Sequence, residues 1–127
     1  FPPVTTVMEG TYRPGHFNGV CQVVSRLFYI VKPQRAYFGE KDWQQIAVIK
    51  RLVTFINSPV EIIECPTIRE KDGLAKSSRN ALLAPDERLL AAKIYAVLQE
   101  SVARSKMKTV AEVHDEVVHQ LNAADGM

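Results

Sequence analysis

The sequence predicts an α/β protein: a parallel strand–helix–strand unit in its first half, followed by helices. Three observations carry this. Arg35 to Phe38 is a short strand pattern, apolar residues then recur at helical spacing, and Val60 to Cys65 is a second strand pattern, the order and lengths of a right-handed βαβ crossover. Between first strand and helix stands Tyr37-Phe38-Gly39-Glu40-Lys41-Asp42-Trp43-Gln44-Gln45, a glycine and three charged residues at a helix start. The later chain is helical in pattern, opened by Pro85 and again by the capping box Thr109-Val110-Ala111-Glu112.

A chain of 127 residues with 46% apolar and 24% charged residues has room for one real core and the composition of a globular protein. The net charge of +2 is too small to argue for nucleic acid or an acidic membrane surface. Residues 1–79 nevertheless hold eleven Lys and Arg against seven Asp and Glu, while residues 80–127 hold five against seven. No apolar run approaches a membrane span, and Phe1-Pro2-Pro3 lacks the features of a signal peptide. Cys21 and Cys65 stand apart in apolar surroundings without metal-ligand spacing, so buried reduced thiols and a reducing, cytoplasmic setting are expected. A chain that starts without methionine and ends at Asp125-Gly126-Met127 also reads as a piece of a longer protein.

In order, Phe1 to Thr11 alternates loosely around Val4, Val7 and Met8 and is expected as an extended segment at a sheet margin. Arg13-Pro14-Gly15-His16-Phe17 is a turn-rich loop, in which a lone histidine is more often structural than catalytic. Gly19 to Val31 places Val20, Val23, Val24, Leu27, Phe28 and Val31 on one helical face, expected to be buried, and Lys32-Pro33 stops that helix. After the charged corner, Ile46, Val48, Ile49, Leu52, Val53 and Ile56 continue a helical period that Asn57-Ser58-Pro59 ends. In parallel sheets ligands bind beyond the carboxyl ends of the strands, so the corner at Gly39–Asp42 and the loop after Cys65 are expected to be neighbours.

The corner allows two readings. Asp42 and Gln45 have capping spacing and Lys41 is then a surface lysine; alternatively Gly39 admits a ligand close to backbone and Lys41 adds charge to an anion-binding helix end. The loop from Pro66 to Asn80 likewise is either a solvated basic surface or, through its hydroxyls, amides and cations, a flexible phosphate clamp. Leu89, Leu90, Ile94, Val97 and Leu98 form the apolar stripe of the helix opened by Pro85, and Val113, Val117, Val118 and Leu121 that of the last helix. His114 and His119 are five positions apart, one too many for the zinc-protease helix motif, and no metal site is assigned. By composition a boundary is expected after Asn80, where loops and strands give way to helix.

Arg13-Pro14-Gly15-His16-Phe17, then Gly39-Glu40-Lys41-Asp42 with Gln44-Gln45, then Asp72-Gly73-Leu74-Ala75 with Ser77-Ser78-Arg79-Asn80, resemble in combination the pantoate–β-alanine ligases, over essentially the whole chain. The resemblance implies the second half of a Rossmann-like nucleotidyltransferase domain over residues 1–80, including its phosphate loop. It implies part of a smaller C-terminal α/β domain, mainly helical, over residues 81–127. The implied reaction uses ATP and Mg2+ to turn pantoate into an enzyme-bound adenylate, which β-alanine attacks to give pantothenate and AMP. Gly39, Glu40, Lys41 and Asp42 then belong to the ATP site, Gln45 contacts pantoate, and the backbone of Ile68 contacts adenine. Lys76, Ser77, Ser78 and Arg79 resemble the family's phosphate loop, with Lys41, Ser77, Ser78 and Arg79 as the groups that serve the chemistry. Lys76 departs from the family, which is usually apolar there.

Members of the family are homodimers acting on small molecules, with no nucleic acid or membrane partner implied. The family's His-x-Gly-His segment is absent from this sequence, so the chain alone is expected to be inactive. Two other readings are a different adenylate-forming nucleotidyltransferase and a non-catalytic nucleic-acid-binding module. Against the latter, the cations sit in two loops without interleaved aromatics and the helices carry no basic stripe.

Overall fold

The computed structural model describes residue 1 and residues 3–123; the Asp125-Gly126-Met127 ending lies outside the described residues. Contacts divide the chain into two compact units, Phe1–Thr67 and Ile68 onward. Composition changes after Asn80, whereas contacts change thirteen residues earlier, at Thr67.

In the first unit, Arg35–Gly39 (β1) pairs in parallel with Glu61–Cys65 (β2), from Arg35 opposite Glu61 to Gly39 opposite Cys65. The expected parallel pairing is therefore present, and an exposed ion pair between Arg35 Nε and Glu61 Oε2 at 2.7 Å stands at its first rung. A single turn of 3-10 helix, Glu40–Asp42, and helix α3, Trp43–Phe55, make the crossover. Apolar spacing explains α3: Ile46, Val48, Ile49 and Leu52 are buried, Val48 and Ile49 completely. The helix ends where Asn57 takes a positive φ of 49° and Pro59 forbids a further turn.

Helix α2, His16–Val31, lies against α3. It starts three residues before the expected Gly19, because Gly15 in the left-handed region, φ 80°, turns the chain directly into the helix. His16 is thus the first helical residue rather than part of a loop, and Phe17, which the periodic reading left out, is among the most deeply buried side chains. The expectation of a wholly buried apolar face is corrected: Val23, Leu27 and Val31 are exposed while Val20, Val24 and Phe28 are half-buried. A helix laid along one neighbour covers only the strip that faces it.

The N-terminal expectation is also overturned. Residues 3–6 form turns and Glu9–Tyr12 is a short helix, α1. The Gln44 side chain explains why no strand forms: its Nε2 donates to the carbonyls of Val4 (2.9 Å) and Val7 (2.7 Å), and its Oε1 accepts from Glu9 N–H (3.0 Å). Groups that a sheet neighbour would have paired are taken by one amide.

In the second unit, helix α4 runs over Pro85–Arg104 and α5 over Val110–Asn122, packed on each other. The capping box of α5 is present, with Thr109 Oγ1 accepting from Glu112 N–H (3.3 Å) and Glu112 Oε2 accepting from Thr109 N–H (2.8 Å). At α4 the Glu87 carboxylate accepts from Ala84 N–H (2.8 Å), and Pro85 occupies the first helical position. The expected apolar stripes are only partly covered: Leu90, Val97, Val113, Val117 and Leu121 are half-buried, whereas Leu89, Ile94, Leu98 and Val118 are exposed. Two helices share one seam, and side chains off that seam stay in solvent. All six buried apolar side chains among the described residues, Phe17, Ile46, Val48, Ile49, Leu52 and Val60, belong to the first unit.

Ile49→Ala should cost the first unit about 2–5 kcal/mol, since the side chain is fully enclosed and its loss leaves a cavity. Urea unfolding followed by the fluorescence of Trp43, the one tryptophan, measures this. A loss under about 1 kcal/mol would contradict the assignment of Ile49 to the centre of the core.

Candidate functional site

The pairing of Gly39 with Cys65 ends both parallel strands at the same level, and the chain leaves β1 there through Glu40-Lys41-Asp42 into α3. The corner thus lies at the carboxyl end of the strand and the amino end of the helix, where unpaired N–H groups and the helix dipole favour an anion. Gly39 has an ordinary extended backbone, φ −75°, and a Cβ built on it would meet nothing within 4 Å. Neither conformation nor internal packing requires glycine at this position.

Glu40, Lys41 and Asp42 are all exposed, and Lys41 Nζ pairs with Asp42 Oδ1 at 3.1 Å. Asp42 occupies the N-cap position of α3 but its side chain makes no capping hydrogen bond, which corrects the capping reading of Asp42-x-x-Gln45. With the carboxylate turned to Lys41, it does not serve the helix amides. Gln45, in the first turn of α3, is half-buried. The neighbouring Gln44 does the structural work described above and holds Glu9 against this helix start. Glu9 forms an ion pair with Arg13, and Arg13 Nη1 lies 3.3 Å from His16 Nε2, so the Arg13–Phe17 motif folds into a tight polar cluster at the start of α2.

In the second unit, Ile68 to Lys76 is a small hairpin. Lys76 N–H donates to Ile68 O (2.9 Å), Glu70 N–H to Leu74 O (2.8 Å), and Arg69 pairs with Ala75 in an antiparallel bridge. Asp72 closes the tip, its Oδ1 accepting from Leu74 N–H at 3.1 Å, and Gly73 sits in the left-handed region at φ 91°. Ser77 then caps a 3-10 turn over Ser78–Leu82, accepting from Arg79 N–H at 3.2 Å, while Asn80 Nδ2 returns to Ala75 O at 3.0 Å. Ile68, Lys76, Ser78 and Arg79 are exposed and Ser77 is half-buried. The Ile68 carbonyl is engaged by Lys76, so these two expected contact residues are joined through backbone.

Each unit therefore gathers its own share of the expected residues: Gly39, Glu40, Lys41, Asp42 and Gln45 on consecutive turns of the first, Ile68, Lys76, Ser77, Ser78 and Arg79 along the hairpin and turn of the second. Sequence reasoning overlooked three side chains that hold the second set, Arg69, Arg88 and Tyr95, and the part of Gln44 in holding Val4, Val7 and Glu9 beside the first. Arg88 Nη1 meets Asp72 Oδ2 at 2.6 Å, and the Arg69 guanidinium lies 3.7 Å from the centre of the Tyr95 ring. The signal in Asp72 and Gly73 is a turn signal and does not name a partner. Among the described residues no group of three His, Cys, Asp or Glu side chains is placed to hold a metal ion.

Three carboxylates of the second unit are held below their usual range. The hydrogen bond from Arg88 does this most for Asp72, helped by Leu74 N–H; Thr109 does it for Glu112, and Lys108 for Glu116. The Arg88 guanidinium is reciprocally raised by Asp72.

The pantoate-beta-alanine ligase family profile matches residues 1–126. A pantothenate synthetase of Bacteroides fragilis is 51% identical over 127 residues, all of this chain and 45% of that protein. One of Thermus thermophilus is 55% identical over 96 residues, 76% of this chain and 35% of that protein. The crystal structure of pantothenate synthetase from Thermus thermophilus superimposes with a TM-score of 0.93 at 46% identity, covering 98% of this chain and 46% of that one. The pantoate-beta-alanine ligase from Francisella tularensis, complexed with beta-gamma ATP and beta-alanine, gives a TM-score of 0.75 at 38% identity over 91% of this chain and 43% of that one. The chain spans about half the length of the relatives it matches. These likenesses bear out the expected α/β fold class.

Because the folded state lowers these three carboxyl pKa values, their stabilisation is present above the ordinary carboxylate range and is lost as pH falls through it toward the lower folded values. Helix content of the chain should accordingly melt at lower temperature at pH 3 than at pH 7. Asp72→Asn should lower the pH 7 melting temperature and flatten the pH dependence; circular dichroism melts that superimpose with the parent's at both pH values would count against the Asp72–Arg88 contact.

Proposed function

The chain belongs to the pantoate-beta-alanine ligase family, and on that premise we propose that it supplies part of the ATP and pantoate site of an enzyme that condenses pantoate with β-alanine. The observation that carries the proposal is the Gly39–Asp42 corner, an exposed charged turn that presents Lys41 at the carboxyl end of β1, with open space above its glycine. A glycine that nothing inside the chain requires is explained by a ligand that must approach the backbone.

In the first step a pantoate carboxylate oxygen attacks the α-phosphorus of ATP, the bond to the bridging oxygen breaks, and pyrophosphate leaves with the electron pair. In the second the β-alanine nitrogen attacks the acyl carbon, AMP departs with the electrons of the C–O bond, and the ammonium proton goes to solvent. Both steps move negative charge onto phosphate oxygens, so the chain's contribution is fixed donors and cations more than an acid or base. Lys41 provides a cation beside the α3 terminus, Gln45 an amide for a pantoate hydroxyl, and Ile68 backbone for adenine. Ser77, Ser78 and Arg79, with Lys76 beside them, provide hydroxyls and charge for phosphate oxygens. Lys41 is balanced by Asp42 at 3.1 Å, a pairing that an arriving phosphate would exchange for its own oxygens. The loop after Cys65 takes a second part in keeping water from the mixed anhydride.

Magnesium enters this reading with the nucleotide, where it would neutralise phosphate charge. The described residues do not offer it a cluster of carboxylates or imidazoles, so no step is assigned to a protein-held metal. The division into a 1–80 nucleotide segment and an 81–127 lid segment, the homodimeric assembly and the absence of a nucleic-acid partner belong to the same proposal and rest on the family resemblance. A cytoplasmic setting is supported by the free thiols of Cys21 and Cys65. Among the described residues no helix is long and apolar enough to cross a membrane.

Labelled ATP should bind the purified chain, and Lys41→Ala should weaken that binding about tenfold, the loss of roughly 1.4 kcal/mol. RNA should not bind at moderate salt. With pantoate, β-alanine and ATP supplied together, the chain alone should release no AMP; AMP release that depends on both acids would show that these 127 residues suffice for the reaction.

A further inference from the structure

Ser78 and Arg79 are exposed and Ser77 is half-buried, and what gives this turn a fixed arrangement lies elsewhere in the second unit. The turn hangs from the Ile68–Lys76 hairpin through the Asn80-to-Ala75 hydrogen bond at 3.0 Å. The hairpin is fastened to α4 at two points. At the first, Arg88 Nη1 meets the Asp72 carboxylate at 2.6 Å, while the other oxygen of that carboxylate accepts from Leu74 N–H and closes the hairpin tip. At the second, the half-buried Tyr95 packs against the hairpin. Arg69 lies over its ring at 3.7 Å and donates from Nη1 to Gly73 O at 3.1 Å, and a Cβ built on Gly73 would collide with the ring. The phenol oxygen accepts from Gln99 Nε2 at 3.0 Å, an exposed hydrogen bond within α4 itself that does not touch the hairpin.

Arg88 and Tyr95 are seven residues apart, two helical turns, and so project from one face of α4. We infer that Arg88 and Tyr95 are positioning residues that hold the Ser77–Arg79 turn in its phosphate-receiving shape through the hairpin they grip. The inference rests on the reading of that turn as a phosphate site. The physical gain is preorganisation: a loop already ordered loses less conformational entropy when the anion arrives. Tyr95 contributes a flat face that a guanidinium can stack on, and Gly73 is the residue that lets the loop backbone reach that face. Arg88 contributes a cation that holds one oxygen of Asp72 while the other oxygen holds the tip.

The test uses the 127-residue chain with inorganic pyrophosphate as probe, titrated by NMR on the amides of Ser77, Ser78 and Arg79, together with the exchange rates of those amides. Tyr95→Leu should weaken pyrophosphate binding about five- to tenfold and speed exchange at the three amides. Tyr95→Phe, which keeps the ring, should behave as the parent. Arg88→Ala should act like Tyr95→Leu, with Arg88→Lys restoring part of the affinity, and helix content should stay unchanged in all four, which separates positioning from general unfolding. Equal pyrophosphate affinity in parent, Tyr95→Leu and Arg88→Ala would overturn the inference. If the parent itself binds no pyrophosphate, the phosphate reading of the turn fails, and amide exchange decides the rest: faster exchange in Tyr95→Leu but not Tyr95→Phe upholds the grip of α4 on the turn, and unchanged exchange overturns it. Should Tyr95→Leu lose its helices, the Arg88 pair of variants gives the same decision.

Discussion

Two parallel strands cannot be joined by a tight turn. The chain that leaves β1 at Gly39 must travel back the length of the sheet before β2 begins at Glu61, and α3 is that return path. A return path across a sheet is stable only if its near side is apolar, which is why Ile46, Val48, Ile49 and Leu52 are buried along α3. The same geometry sets the amino end of α3 just beyond the carboxyl end of β1. The charged corner between them is therefore a product of the crossover, and its place beside strand ends and helix amides follows from connectivity alone. Other features of the first unit lean on this helix: α2 lies against it, and Gln44 in its first turn gathers the segment from Val4 to Glu9.

The second unit is held by a different balance of forces. None of its described residues is among the fully buried ones, and its helices share a single seam. Shape there depends on polar fastenings with defined direction: the Thr109–Glu112 box, Arg104 and Lys108 on Glu116, Arg88 on Asp72, and Arg69 over Tyr95. Exposed ion pairs contribute little each to stability, but a guanidinium on one oxygen of a carboxylate whose other oxygen closes a turn constrains geometry. Gly73 shows how closely this is fitted, since both its left-handed backbone and the adjacent tyrosine ring exclude a side chain.

Much of the first unit was legible because its period changes from two to three or four and back, with Gly39 and Pro59 as punctuation. What could not be read were contacts made at a distance. Val4, Val7 and Glu9 look strand-like until Gln44, forty residues away from Val4, takes their backbone groups. Asp42 has capping spacing, yet its carboxylate answers to Lys41. The stripes on α2, α4 and α5 were seen correctly as apolar; burial is a property of the neighbour, which periodicity does not supply. At the candidate site the same division holds. Gly39 to Asp42 and Ser77 to Arg79 stand out as short motifs, whereas Arg88 and Tyr95 read as ordinary members of a helix and acquire meaning only when the hairpin closes on them.

The span of chain enclosed by each contact also differs between the units, and that bears on the order in which they form. Lys76 with Ile68, Leu74 with Glu70 and Glu112 with Thr109 enclose short loops, and the elements they build are hairpin and helix turns that form within microseconds. Pairing Arg35 with Glu61, or Gln44 with Val4, requires closure of long stretches before any contact rewards it, and non-local parallel pairing is intrinsically slower. During synthesis the slow part emerges first. Once Cys65 has emerged, every strand residue of the first unit is available, so its search for register proceeds while the quick-forming hairpin and helices are still being made.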